Sequence, residues 1–181
     1  MFSFDHFIPI PEKFWSFETG KPFETCSLCG TELLQSGANY LVEKAFKKTE
    51  VIFEYAICRD CRMKVMNELS RKSLKLIDHY FSEHVDEEAR LEKLWKESPR
   101  SADGWISHCL VKGTPVEELE EYQVGGLFTG DNMVLADFPF ALGGVAIDEI
   151  IHLLSDETLG ALNDFSDKVF GIDLPNKFLI L

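Results

Sequence analysis

The sequence lacks a hydrophobic run that could cross a membrane. Its longest uncharged apolar stretch, residues 138–147, contains a proline and two glycines and is far shorter than the roughly 20 residues of a membrane helix. The first residues hold no basic segment followed by an apolar one, so they do not resemble a secretory signal peptide. We therefore expect a cytoplasmic protein without a membrane partner.

Signatures of nucleotide binding are also missing. The glycines at 125–126, 130 and 143–144 lack the spacing, and the following Lys-Ser or Lys-Thr, of a phosphate-binding loop. We predict a loop-rich region over residues 125–144, in which glycine serves turns and close packing. The sequence leaves open whether this region binds a ligand, since long loops are often where binding occurs.

Cysteine is scarce, but four of the five cysteines lie in two CxxC motifs, CSLC at 26–29 and CRDC at 58–61. Four thiolates delivered in two such pairs suit a tetrahedral zinc site, with each sulfur about 2.3 Å from the metal. The predicted ligands of one structural Zn²⁺ are Cys26, Cys29, Cys58 and Cys61. The fifth cysteine, Cys109, lies in an apolar stretch, so we expect it in the core rather than in catalysis.

Regular elements are predicted around both motifs. Gly30 can take the positive φ that a knuckle under the metal requires. Residues 40–46 and 51–57 predict two strands of a hairpin, joined by a polar connection. A long helical pattern then runs from 59 to 85. The second cysteine pair would lie at the start of this helix, where the dipole and free amide groups favour thiolate.

The order of knuckle, hairpin and helix resembles the treble-clef group of zinc fingers, which is related to the zinc ribbons, over residues 24–84. In that group one ligand pair comes from a knuckle and the other from the first turn of a helix. The two cysteine pairs match those positions one by one. The resemblance implies a fold and a metal but no activity, because treble clefs serve many unrelated functions.

Two other interpretations of the cysteines stay open. A strand followed by CxxC at a helix start is also the arrangement of a thioredoxin-like redox centre, although such a centre needs one pair and a βαβ pattern. Structural disulfides would require an oxidising compartment, to which nothing in the sequence directs the chain. Iron is an alternative to zinc in a site of four thiolates.

Three segments are predicted along the chain. Residues 1–25 combine aromatic side chains and prolines without a regular period, which indicates an extended arm that inserts its rings into the core. Residues 26–85 form the zinc module. Residues 86–181 form a mainly helical, acidic region packed with that module. The predicted fold class is α+β, a treble-clef-like module on a mainly helical body.

Within the C-terminal region, capping signals predict where helices begin and end. Asp86 starts a helix after a break near Val85, and Thr114 with a capping box starts another. Further helices are predicted over 146–154 and 156–170, the second one stopped by Gly171. Residues 133–135 predict a short strand. The apolar residues 175–181 are expected to dock as a terminal strand or against the arm.

The sequence has few basic residues, 18 against 31 acidic ones, which gives a net charge of −13. The acidic excess falls in residues 76–181, whereas residues 41–75 hold more basic than acidic side chains. A nucleic-acid adaptor is therefore an alternative function, disfavoured by the net charge. Its candidate phosphate contacts are Lys44, Lys47, Lys48, Arg62, Lys64, Arg71, Lys72 and Lys75.

The leading hypothesis is a zinc protein that binds other proteins as an interaction or adaptor module. Four cysteines close the coordination shell, whereas a catalytic zinc keeps a position open for water or substrate. The sequence therefore favours a protein without enzymatic activity. A thiol redox protein that uses the CxxC pairs is the second alternative.

Overall fold

The structure is a computed structural model that describes residues 6–171. Within this range six strands form one antiparallel sheet in the order β1-β5-β4-β2-β3, with β6 also paired to β4. The strands are β1 (Phe7–Pro9), β2 (Asn39–Lys47), β3 (Glu50–Cys58), β4 (Glu121–Thr129), β5 (Asn132–Val134) and β6 (Phe140–Gly143). Both strands of the predicted hairpin and the predicted strand near residue 133 are confirmed.

Six α-helices accompany the sheet in the described part of the chain. They are α1 (Arg59–Glu68), α2 (Arg71–His84), α3 (Glu87–Glu97), α4 (Ala102–Trp105), α5 (Gly144–Ile151) and α6 (Asp156–Phe170). Asp86 caps α3 by accepting a hydrogen bond from the Ala89 amide, and Gly171 ends α6 with a φ of 66°, as the sequence predicts. None of these helices is both long and apolar enough to cross a membrane.

The two faces of the sheet are covered by different parts of the chain. On one face, the ring of Phe165 from α6 packs edge-on against Tyr55 of β3, with centroids 5.2 Å apart. On the other face, the fully buried Phe14 meets Phe128 of β4 at 5.5 Å. The sheet therefore forms the middle layer, with α6 on one side and the N-terminal segment on the other.

An ion pair anchors the N-terminal segment to the hairpin. Lys44 of β2 lies 3.0 Å from the Glu54 carboxylate of β3 and donates to the Trp15 carbonyl. Glu54 in turn accepts from the Ser16 hydroxyl and from the Phe17 amide. Phe17 nevertheless leaves its own ring 77% exposed, so the arm does not bury every aromatic side chain.

Some expectations fall outside the described residues. These are the docking of residues 175–181 and the burial of Phe2 and Phe4. The division at residues 25 and 85 also stays a prediction. Strand β2 and strand β4 nevertheless pair along their full length, from Asn39 with Thr129 to Lys47 with Glu121. The hairpin of the predicted module and the C-terminal region therefore share one sheet.

The prediction of one long helix over 59–85 is wrong. The helical pattern breaks at Leu69, whose φ and ψ of −76° and 142° are those of extended backbone. Ser70 then caps a new helix, α2, by accepting a hydrogen bond from the Ser73 amide. Ser70 and Ser73 are a sequence signal for the start of a new helix. The apolar residues nevertheless continue at helical spacing across this point, and that spacing predicts a single helix.

The helix predicted at Thr114 and the loop predicted over residues 125–144 also need correction. The helix predicted at Thr114 is only a short 3₁₀ turn, Val116–Glu118, and β4 and β6 occupy much of residues 125–144. Gly126 lies inside β4. A Cβ at this position would come within 3.0 Å of the Phe128 and Met133 side chains, so the packing favours glycine there. Close packing, rather than a loop, explains this glycine.

The N-termini of α2 and α6 meet in a closed ring of four hydroxyl groups. Neighbouring hydroxyl oxygens in the ring lie 3.0 to 3.2 Å apart. The contacts are Ser70 with Ser73, Ser73 with Ser155, Ser155 with Thr158, and Thr158 with Ser70. Each oxygen also accepts one backbone amide, and two of these amides come from the opposite helix: Ser70 donates to Thr158 and Ser155 donates to Ser73, both at 2.9 Å. The two caps thus satisfy each other and fix α6 against α2.

Breaking this hydroxyl ring is expected to destabilise the protein. Ser73→Ala removes the acceptor of the Ser155 amide at a fully buried position, which should cost about 1 to 3 kcal/mol in the free energy of unfolding. Ser82→Ala is a matched control, since Ser82 is exposed on the same helix and should change stability by about 0.5 kcal/mol or less. Urea unfolding measures both, and equal losses would contradict the ring's role.

Candidate metal centre

Four cysteine side chains converge at the junction of β3 and α1. The Sγ atoms of Cys26, Cys29, Cys58 and Cys61 all lie within 4.8 Å of one another. A regular tetrahedron with metal–sulfur bonds of about 2.3 Å has sulfur–sulfur edges of about 3.8 Å. The Sγ atoms of Cys29 and Cys58 are 3.8 Å apart. The cluster therefore fits a single metal ion bound by four thiolates.

The first pair lies on a tight turn that the backbone closes by itself. The Gly30 amide donates to the Cys26 carbonyl at 2.9 Å, and the Cys26 amide donates to the Thr31 carbonyl at 2.9 Å. Gly30 has a φ of 73°, in the left-handed region that a side chain would disfavour. This is the turn that the sequence predicts, and it places both sulfurs of the pair on one side.

The second pair straddles the start of a helix. Cys58 is the last residue of β3 and the cap of α1, where its Sγ accepts a hydrogen bond from the Cys61 amide at 3.5 Å. The Cys58 amide donates to Cys26 Sγ at 3.4 Å and so links the two pairs. Amide donors to sulfur stabilise the thiolate form that a metal requires.

Hydrogen bonds to β3 hold the turn of the first pair in place. The Ser27 amide donates to the Ala56 carbonyl at 2.8 Å, and the Ser27 hydroxyl accepts from the Ala56 amide at 3.1 Å. Ser27 thus pairs with the edge of the sheet two residues before Cys58. This role is not visible in the sequence, because a serine inside a CxxC motif carries no signal for its partner strand.

The local environment affects the four thiols differently. Hydrogen bonds between Cys29 and Thr31, chiefly the one that joins Cys29 Sγ to the Thr31 hydroxyl at 3.1 Å, lower the pKa of the exposed Cys29 thiol to about 6. Burial raises the pKa of the Cys58 thiol and that of the Cys61 thiol. Four thiolates at this separation repel one another, so a bound cation is needed to deprotonate the whole set.

The geometry favours a metal over the alternatives based on disulfides. All five cysteines are free thiols, and the four clustered sulfurs form one group rather than two bonded pairs. A thioredoxin-like centre lies in a βαβ setting, whereas the sheet over residues 6–171 is antiparallel. The fifth thiol, Cys109, is buried away from the cluster and accepts the Gly143 amide at 3.2 Å.

The structure does not gather the predicted basic residues into one exposed face. Lys44 is buried and paired with Glu54, so this member of the set does not reach solvent. Arg62 is half-buried, and burial lowers the pKa of its guanidinium. The remaining six side chains are exposed: Lys47, Lys48, Lys64, Arg71, Lys72 and Lys75. Contact of these six with nucleic acid stays a prediction.

Comparison of the chain with models of known protein families, with curated protein sequences and with solved structures finds no match for it.

Proposed function

We propose that this chain is a zinc protein in which one Zn²⁺, bound by Cys26, Cys29, Cys58 and Cys61, has a structural role. The observation that carries the proposal is the convergence of four sulfur atoms within 4.8 Å from two distant segments of the chain. Tetrahedral sites of four thiolates bind zinc or iron, and zinc is the usual structural ion of this kind.

The elements around the ligands support a module of the treble-clef type. A knuckle carries the first pair, the hairpin of β2 and β3 follows, and α1 begins at the second pair. The order is that of treble-clef fingers. In this protein β2 also pairs with β4, so the module is built into a larger sheet.

The role we propose for the folded protein is a protein-interaction adaptor. Four thiolates leave zinc no open position for water or substrate, which argues against catalysis at the metal. An apolar groove along α2 offers a surface of the kind that binds protein partners. The metal would then maintain the fold that displays this surface.

Metal content tests the zinc assignment directly. Protein purified without added metal should contain one zinc per chain by elemental analysis, and Cys61→Ser should lose it. Cys109→Ser is the matched control, because it removes a buried thiol outside the cluster and should keep the metal. A wild-type protein without zinc, or one that holds only iron, would refute the assignment.

A further inference from the structure

Helix α2 uses one of its faces for the fold and leaves the neighbouring face half-exposed. The first face carries Ser73 in the hydroxyl ring and Tyr80, whose hydroxyl donates to Glu149 of α5 at 2.5 Å. The neighbouring face carries an apolar stripe at spacings of three and four residues. Its members, all half-buried, are Leu74, Ile77 and Phe81, and Val85 continues the stripe directly after the helix ends.

This stripe forms one wall of a groove of about 530 Å³. Phe138 and Phe140 contribute to the opposite wall. Arg90 of α3 holds that wall in position by donating to the carbonyl oxygens of Asp137 and Pro139, at 3.3 and 2.9 Å. Along the helix the stripe extends about 16 Å, or three turns at a rise of about 1.5 Å per residue. The groove is therefore elongated, with a length suited to a segment of polypeptide.

Acidic side chains dominate the charge at the groove. Three carboxylates line it, from Asp78, Glu87 and Asp137. The residues that line the groove include no lysine or arginine, and Arg90, which lies outside this lining, pairs with Glu87 at 2.8 Å. With three acidic residues and no basic residue in its lining, the groove attracts a ligand that carries positive charge.

The backbone surroundings favour a helical occupant over an extended one. An extended segment gains affinity by pairing with a free strand edge. Here β6, the nearest strand, pairs with β4 on one side, and on the other side its Ala141 carbonyl accepts the Leu110 amide at 2.7 Å. A helix satisfies its own backbone and needs only an apolar wall.

We propose that this groove binds the apolar face of an amphipathic helix of a partner protein, flanked by lysine or arginine. Apolar side chains of the partner fill the space between Phe81 and Phe138, and its basic side chains pair with Asp78 and Asp137. The inference rests on the adaptor role proposed above. Metal content tests the zinc site by a separate measurement, so the zinc assignment and the proposed groove can each fail without the other.

Selection from a displayed library of random 20-residue helical peptides, with the zinc-loaded chain as the target, tests the proposal. Enriched peptides should combine apolar residues at spacings of three and four with lysine or arginine. Fluorescence anisotropy of the synthesised peptides should show about tenfold weaker binding to Phe81→Ala, the loss typical of an interface anchor. Asp78→Lys should weaken binding to a similar extent at low salt and less at high salt.

Asp164→Lys is the matched control for the charge reversal. Asp164 is exposed in the middle of α6, as Asp78 is in α2, so both variants change the net charge equally. Peptide affinity should be unchanged by Asp164→Lys. The proposal is overturned if no peptide is enriched, if the enriched peptides are acidic, or if they bind Asp78→Lys as tightly as wild type. Because Asp78 is exposed, this variant decides the outcome even if Phe81→Ala unfolds.

Discussion

Removal of the metal is expected to lower the melting temperature by about 20 °C or more, or to abolish the cooperative transition. Zinc binding supplies about 10 to 16 kcal/mol to isolated zinc-finger peptides, which matches the whole stability of a domain at about 5 to 15 kcal/mol. For a chain of this size each kcal/mol corresponds to about 2 to 4 °C. Thermal melts before and after chelation measure the change.

The structure indicates which parts should lose their order without the metal. The turn that carries Cys26 and Cys29 is bound to the sheet mainly through Ser27 and the Ala56 backbone. Helix α1 is capped by Cys58, so its first turn also loses its anchor. Amide hydrogen exchange should therefore rise first around these two segments, whereas β4 should keep its protection through its pairing with β2.

Ligand variants distinguish loss of the metal from a general effect of the chelator. Cys58→Ser and Cys61→Ser should each reproduce the melting temperature of the chelated protein, and chelator should have no further effect on them. Cys109→Ser should melt near wild type and should still respond to chelator. A Cys58→Ser, Cys61→Ser double variant with the wild-type melting temperature would rule out a structural metal.

Replacement of Glu43 by glutamine is expected to make the protein progressively more stable than wild type as the pH rises from 6 to 8. Glu43 lies in β2 on the helix-covered face, where it is buried and accepts a hydrogen bond from the Tyr55 hydroxyl. Burial raises the pKa of this carboxyl to about 8. Near neutral pH the folded protein therefore keeps it protonated, whereas the unfolded chain ionises it.

The sign of the effect follows from proton linkage. Between the ordinary pKa of 4.5 and the raised value of about 8, the folded state binds more protons than the unfolded state at this residue. The contribution of Glu43 to stability is therefore complete at low pH and is lost as the pH rises through this window. Well inside the window the loss is about 1.4 kcal/mol per pH unit. The slope falls as the pH reaches the raised pKa, so the total loss between pH 6 and 8 is about 2 kcal/mol.

The measurement is urea unfolding of zinc-loaded wild type and Glu43→Gln at pH 6, 7 and 8. The difference between the two isolates Glu43, because the titration of the cysteines and of Arg62 beside Tyr55 is common to both. Glu50→Gln is the control, since it removes the same charge at an exposed position on β3. A difference for Glu43→Gln that does not change with pH would show that Glu43 is ionised in the fold.

The candidate site was predictable because its signals are local. A CxxC pair with a following glycine encodes its own turn, and Gly30 takes the positive φ that this turn needs. The apolar alternation of β3 and the helical spacing after it place Cys58 and Cys61 where a strand becomes a helix. The choice of these four cysteines as candidate ligands therefore follows from residue type and short-range spacing, without knowledge of the tertiary fold.

The predictions that are wrong concern segments whose state depends on distant partners. Residues 121–129 hold two glycines in the middle and follow a capping signal, so on local grounds they suggest a helix start and then a loop. They form β4 because β2 offers nine residues of pairing and because Phe128 and Met133 fill the space above Gly126. Likewise, the break at Leu69 depends on Ser70 and Ser73 meeting the cap of α6.

By itself, the sequence determined which four cysteines cluster, the hairpin between the two pairs, the start of α3 and the end of α6, because turns, caps and periodicity act over a few residues. Only the tertiary structure decided which charges are buried. Lys44 and Glu43 are neighbours on β2, and each looks like an ordinary surface residue. In the fold Lys44 pairs with Glu54 under the N-terminal segment, while Glu43 lies on the opposite face against Tyr55. Side-chain burial and ionisation depend on contacts between remote segments, which no local pattern specifies.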